Sequence, residues 1–495
     1  MAFPATRRGC LAVALSIAVA TLAAGPGAAA GTAAWTAPNG DLDNTRVATS
    51  SITAANVSSL KVAWKVPLTG VGADDYRFAA TPLIAGGVVY TQDLASTVTA
   101  YRESNGSVLW THAFPDAPSA GPNGVTLAGG RLYGATPTYA FALDAATGSL
   151  VWRSVTLTRN GHEGIDMAPT VANGIVYVST VPGNASSFYA GGGIGRLFAL
   201  DARTGKVRWR FNTVPASLWG KPGVNAGGGV WYSPAVSGNA VYADIGNPAP
   251  FPNAASRPGP NLYTDSVVKL DASTGKLIWY RQVLPHDLYD WDLEAPPVLT
   301  TAGGRSIVVA AGKMGDVYGV DATTGSLLWK TPVGIHDGHD NDDEQAMDGS
   351  PPSLAGVVYP GSYGGVLTPL AVADGVAYVP IVDLGTAWLP QETQQWSSAA
   401  GELDAVELDT GKLLWSTKLA SPVFGAATVS NDLVFTTTFA GALVAVSRSN
   451  GRVVWRCELP TSTNAPLAIA GNVLVTAASI PHDSGEAELI AFRLG

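Results

Sequence analysis

Cysteine is almost absent from this 495-residue chain, with Cys10 and Cys457 the only two. Cys10 lies in a leader segment, so the mature chain keeps one thiol and forms no internal disulfide; its stability must come from packing. The same scarcity excludes an attached c-type haem, because no Cys-x-x-Cys-His occurs. Charge is sparse too. Only 14% of residues are charged, the net charge is −9, and no Lys/Arg block follows the leader, which excludes a nucleic-acid partner or an anionic-membrane surface. A long apolar run is also missing. The stretch from Leu11 to Ala24 is short for a span and ends at Gly25-Pro26-Gly27. With Arg7 and Arg8 before it and Ala28-Ala29-Ala30 after it, residues 1–30 read as a signal peptide. The expectation is a secreted or extracytoplasmic protein with no membrane span after cleavage, its folded part occupying residues 31–495.

Glycine (57) and proline (33) are abundant. Between short β-branched runs they mark tight turns. One phrase, Asp-x-x-Thr-Gly-x-x-x-Trp, recurs along the chain and ends at Trp152, Trp209, Trp279, Trp329 and, with Glu407 in the aspartate's place, Trp415. Looser copies end at Trp110 and Trp455, and Trp64 in Leu60-Lys-Val-Ala-Trp64 closes a first unit that lacks the turn. Each phrase reads as a β-hairpin: a strand such as Leu197-Phe-Ala-Leu200 enters a turn in which glycine accepts positive φ, and a second strand leaves toward an anchoring tryptophan. Further strand-like runs, such as Gly174-Ile-Val-Tyr-Val178, bring each unit to four strands. Eight such units predict an all-β, eight-bladed β-propeller of four-stranded antiparallel blades, since radial repetition protects sheet edges. The units closing at Trp209, Trp279 and Trp415 are the longest, and insertions on a rigid scaffold are where sites are built.

Two stretches stand out from the repeat: Gly227-Gly-Gly-Val-Trp231 followed by Gly246-Asn247-Pro-Ala-Pro250, and Pro285-His286-Asp287-Leu-Tyr-Asp290-Trp-Asp292. On an extended strand, Asp290 and Asp292 would face the same way and repel unless a cation or a shared proton relieves them. Together with the opening Trp35-Thr-Ala-Pro-Asn-Gly40-Asp-Leu-Asp-Asn44-Thr-Arg46, these stretches resemble the pyrroloquinoline-quinone dehydrogenases, a family that includes methanol dehydrogenase and polyvinyl alcohol dehydrogenase.

The resemblance implies a secreted dehydrogenase that oxidises a small-molecule or polymeric alcohol, with pyrroloquinoline quinone and Ca2+ or a lanthanide ion as cofactors and an external electron acceptor. It implies Asp290 as catalytic base, Trp231 and Lys313 as cofactor-binding residues, and Asn247, Asp290 and Asp292 as metal ligands. Three departures accompany it. Phe188-Tyr-Ala190-Gly-Gly-Gly193-Ile-Gly195 carries no glutamate where the family supplies a metal ligand. The family's vicinal cysteine pair gives way to Pro122-Asn-Gly-Val125 or its neighbours, and Gly364-Gly365-Val-Leu-Thr368 replaces a cofactor contact. Glu163 is not taken as the substitute ligand. His336-Asp-Gly-His339-Asp-Asn-Asp-Asp-Glu344 is expected to be a solvated insertion. Because a propeller does not fix its function, the alternative is a quinone-free extracellular propeller acting as a binding or assembly module.

Overall fold

In the computed structural model, sheet formation follows the recurring phrase closely. The structure describes residues 33–495 apart from 73–75, 120, 183–192, 216–225, 252–253, 348–352 and 482–484. The leader expected over residues 1–30 therefore lies outside the described residues, as does most of the glutamate-deficient stretch. Among the described residues the chain is all-β apart from one short α-helix, Asp342–Met347, and a few 3-10 turns. No described helix is long and apolar enough to cross a membrane.

Seven antiparallel sheets of four strands, and one, the third in order, in which Glu163–Gly164 adds a fifth, follow one another among the described residues, with a two-stranded and a three-stranded sheet beside them. The fourth is representative: Ala235–Ser237, Ala240–Ile245, Ser266–Asp271 and Leu277–Gln282 pair in chain order. The short first strands of consecutive sheets touch, and that of the eighth touches that of the first. The unit expected to close at Trp64 is completed by the other end of the chain: its strand Leu60–Pro67 pairs with Glu488–Leu494 as the outer strand of the eighth sheet.

The phrase encodes a latch between sheets. Its aspartate folds back on the turn, as where Asp271 Oδ1 accepts the N–H groups of Ser273 and Thr274. Its glycine takes positive φ and leaves room for the previous sheet's tryptophan: a Cβ on Gly275 (φ +69°) would lie 2.5 Å from the Trp209 ring. A bulge just before the tryptophan, as in the shift between Lys269–Trp279 and Leu270–Leu277, breaks the strand register and bends the strand there. The indole N–H then reaches a backbone carbonyl of the next sheet, as from Trp209 to Ala272 at 2.9 Å.

The opening segment hydrogen-bonds along the first strands. Trp35 meets Ile84, Leu42 meets Val236, Asp43 meets Leu299, Thr45 meets Val372 and Thr49 meets Gly471. At its centre Arg46 is fully buried and packs on the Trp35 ring. Its guanidinium donates to the carbonyls of Ala427, Pro38 and Leu467, to Asn39 Oδ1 and to Thr428 Oγ1. Burial lowers its pKa to about 9. The apolar cores lie between neighbouring sheets, as where Tyr242 of the fourth packs with Tyr318 of the fifth.

Candidate functional site

The two stretches singled out in the sequence meet where the first leaves the second strand of the fourth sheet and the second runs from that sheet's fourth strand to the first strand of the fifth. Glycines make the approach close. Gly228 N–H donates to the Asn247 carbonyl at 2.7 Å and Gly246 N–H to the Gly229 carbonyl at 2.8 Å, while a Cβ on Gly227 would lie 2.3 Å from the Asn247 oxygen. Gly246 in turn admits Asp292, whose Oδ1 would lie 2.0 Å from a Cβ there. Asp292 uses that space. Its Oδ1 accepts the Asn247 backbone N–H at 2.9 Å and the Trp231 indole N–H at 3.1 Å, and its Oδ2 accepts Lys313 Nζ at 2.7 Å.

Lys313 also reaches Asp290 Oδ2 at 3.1 Å, and Asp290 Oδ1 accepts Asn247 Nδ2 at 2.9 Å. All the residues expected to form the site, Trp231, Asn247, Asp290, Asp292 and Lys313, are thus joined in one hydrogen-bonded group. The ammonium of Lys313 lies 6.0 Å from the centre of the half-exposed Tyr363 ring. Gly365, at φ +72°, lies against the Lys313 backbone, where a Cβ would come within 2.2 Å of the carbonyl oxygen.

Carboxyls outnumber cations here: the buried Asp265, Asp287, Asp292 and Glu294 and the partly buried Asp290 stand against Lys313 and Arg257. Burial pushes the Asp290 carboxyl well up, with Lys313 opposing and Asp292 and Asp287 adding to the rise. Burial likewise raises Glu294 to about 8. Burial alone would lower Lys313, but Asp290, Asp292 and Glu294 together hold its pKa well above the usual lysine value. Asp265 Oδ2 is buried without a hydrogen-bond donor.

This surplus of hard oxygen donors fits a di- or trivalent cation, which would neutralise what Lys313 leaves over. Among the described residues no three His, Cys, Asp or Glu side chains form a complete metal cluster. An ion here would therefore draw on the Asn247 amide oxygen as well as on carboxylates.

Two other sequence features resolve. Glu163 is buried and its carboxylate is held by Arg159 at 2.6 Å and by Arg196, which accounts for it without a metal. The His336–Glu344 run is not the solvated insertion that was expected. Asp342 and Asp343 are buried, Asp342 accepts the Tyr289 hydroxyl, and His339 Nδ1 lies 2.6 Å from Asp342, so the run packs on the segment that carries Asp290. A buried phenol needs an acceptor, and this run supplies it. Sequence reasoning gave no role to Arg257, Asp265, Asp287 or Glu294.

Comparison with known proteins separates the site from its surroundings. The model of the glucose/ethanol/alcohol dehydrogenase β-propeller domain matches residues 154–351, which contain every residue of the group above. The model of the outer membrane protein assembly factor BamB matches residues 19–193 and 399–493, which contain none of them. The quinohemoprotein alcohol dehydrogenase of Comamonas testosteroni is 29% identical over 487 residues, covering 83% of this chain and 67% of that protein. Its crystal structure superposes with a TM-score of 0.78 at 25% identity, covering 93% of this chain and 80% of that one. The quinohemoprotein alcohol dehydrogenase ADHIIG of Pseudomonas putida HK5 superposes with a TM-score of 0.80 at 22% identity and the same coverage, a likeness of fold.

Proposed function

The chain belongs to the pyrroloquinoline-quinone alcohol dehydrogenase family, whose propeller repeat it shares with BamB, and from that premise we propose that it is an exported enzyme that oxidises an alcohol and passes the electrons to an external acceptor. The observation that carries this reading is the convergence of Asn247, Asp290, Asp292 and Lys313, with Trp231 tied to Asp292. In this reading the eight sheets are the eight blades of one propeller, residues 1–30 are a cleaved leader, and the mature protein works outside the cytoplasm.

Bound quinone supplies the two-electron acceptor, and Ca2+ or a lanthanide ion supplies Lewis acidity. The chain supplies the rest. Asn247 and Asp290 offer oxygens to the ion, with Asp292 the further carboxylate. Lys313, held cationic by the surrounding acids, stabilises negative charge on an oxygen brought beside it. The Trp231 indole, fixed through its N–H, forms one wall for a flat cofactor. Asp290 takes the hydroxyl proton of the alcohol. Since burial favours its protonated form, it serves as a base only where neighbouring positive charge offsets burial, and Lys313 provides part of that charge.

Titrating metal-stripped protein with pyrroloquinoline quinone, with Ca2+ or La3+ added, tests the reading through cofactor binding and dye reduction over a panel of alcohols. Asp290→Ala is expected to bind quinone and lose turnover; retained turnover removes Asp290 as the base. The BamB-type match over the flanking sheets favours a second reading, a quinone-free binding or assembly module, and absence of quinone binding under every metal would select it.

A further inference from the structure

Asp290 takes the left-handed conformation at φ +60°, which a residue with a side chain keeps only where its surroundings determine it. We propose that Asp287 is the positioning residue of this site: one carboxylate fixes the backbone on both sides of Asp290 and sets the direction of the Asn247 amide. The proposal rests on the dehydrogenase reading for its catalytic consequence and on geometry for its content.

Asp287 is fully buried. Its Oδ1 accepts the N–H of Tyr289 at 3.0 Å and the N–H of Trp291 at 3.1 Å, the two residues flanking Asp290. Its Oδ2 lies 3.4 Å from Asn247 Nδ2, the nitrogen that also donates to Asp290 at 2.9 Å. An amide whose NH2 is committed to two carboxylates must turn its oxygen the other way, and oxygen is the atom a hard cation takes.

Asp287 is itself held. Arg257, fully buried, donates to the Asp287 carbonyl, to Asn261 Oδ1 at 2.6 Å and to the Pro250 carbonyl at 3.1 Å. Asn261 N–H donates to the Pro285 carbonyl at 2.9 Å, and His286 Nδ1 lies 2.8 Å from the Gly259 carbonyl. The insertion that lengthens the fourth sheet's unit is therefore the brace for the segment carrying Asp290. A residue that merely anchored this segment would need the two backbone contacts but not the contact to Asn247.

Two variants separate these roles. Asp287→Asn keeps an oxygen for the Tyr289 and Trp291 amides but sets an NH2 against the NH2 of Asn247; Asp287→Ala removes both functions. Hydrogen–deuterium exchange of the 289 and 291 amides, read on protein free of ion and quinone, is expected to stay slow in the Asn variant and to quicken in the Ala variant. La3+ affinity and kcat are expected to fall about 10–100-fold in the Asn variant, with KM for the alcohol little changed. Unchanged ion affinity and kcat in Asp287→Asn, or unchanged exchange in Asp287→Ala, overturns the proposal. A wild-type protein that binds neither ion nor quinone refutes the dehydrogenase reading instead, because the exchange measurement decides by itself whether Asp287 holds the segment.

Discussion

Replacing Asp244 with leucine should stabilise the protein, and more so at pH 6 than at pH 4. Asp244 lies on Ala240–Ile245 and shares a face with Tyr242, toward the fifth sheet. It is 2% exposed, and neither carboxyl oxygen meets a hydrogen-bond donor. Burial alone holds its pKa well above the usual carboxylate range. The folded state therefore keeps the proton while the unfolded chain ionises above about pH 4. Folding takes up a proton in that window, so stability falls as pH rises from about 4 toward the folded pKa, by about 1.4 kcal/mol per pH unit.

Leucine removes this loss together with an unsatisfied polar group that costs about 1–3 kcal/mol. The expected gain is thus about 1–3 kcal/mol at pH 4 and grows toward pH 6 by up to about 1.4 kcal/mol per pH unit. Asp244→Asn, which keeps the unmet polarity but cannot ionise, should show only the pH-dependent part. Guanidinium unfolding at the two pH values, with the m-value unchanged, measures both. A gain that does not grow with pH, or a loss at pH 6, would show that the Asp244 charge is compensated in the fold and would refute the argument.

Two further substitutions test the framework around the site. Arg46→Lys has three N–H groups for the acceptors that the guanidinium fork serves; at least two buried acceptors go unmet, and chemical unfolding should register a loss of about 2–6 kcal/mol. Glu163→Ala leaves Arg196, almost wholly buried, without its counter-charge and should cost about 3–5 kcal/mol. Calorimetric La3+ affinity is expected to stay the same in that variant, since Glu163 holds arginines and not an ion.

The sequence made the sheets legible because each full copy of the phrase carries its own instructions: an acidic residue for the turn, a glycine for the left-handed residue and a tryptophan for the next sheet. Asn247, Asp290, Asp292 and Trp231 were legible as a group because they stand in two stretches that break the repeat, and Lys313 through the resemblance alone. Asp287 and Arg257 were not, since most of what they bond to is main chain, the N–H groups of Tyr289 and Trp291 for the one and the carbonyls of Pro250 and Asp287 for the other, and main-chain atoms leave no mark in a residue pattern. The acidic run at 336–344 looked solvated because charge density usually means water, and the buried Tyr289 hydroxyl that needs Asp342 is remote from it in sequence. Arg46 gave no signal either, because its acceptors are mostly carbonyls on the first strands of other sheets.

The pairing of Leu60 with Leu494 bears on how the molecule is made and unmade. Joining strands separated by roughly 430 residues costs about 5 kcal/mol of chain entropy when nothing lies between them but coil. That cost falls steeply if the intervening sheets have already drawn the ends together. The clasp should therefore form late, after most sheets are built. Once formed, it opposes fraying at both ends at once, because peeling either strand from the eighth sheet bares the edge of the other. A protein of this design resists proteases less through the strength of any one sheet than through the slowness with which a closed circuit can be broken into.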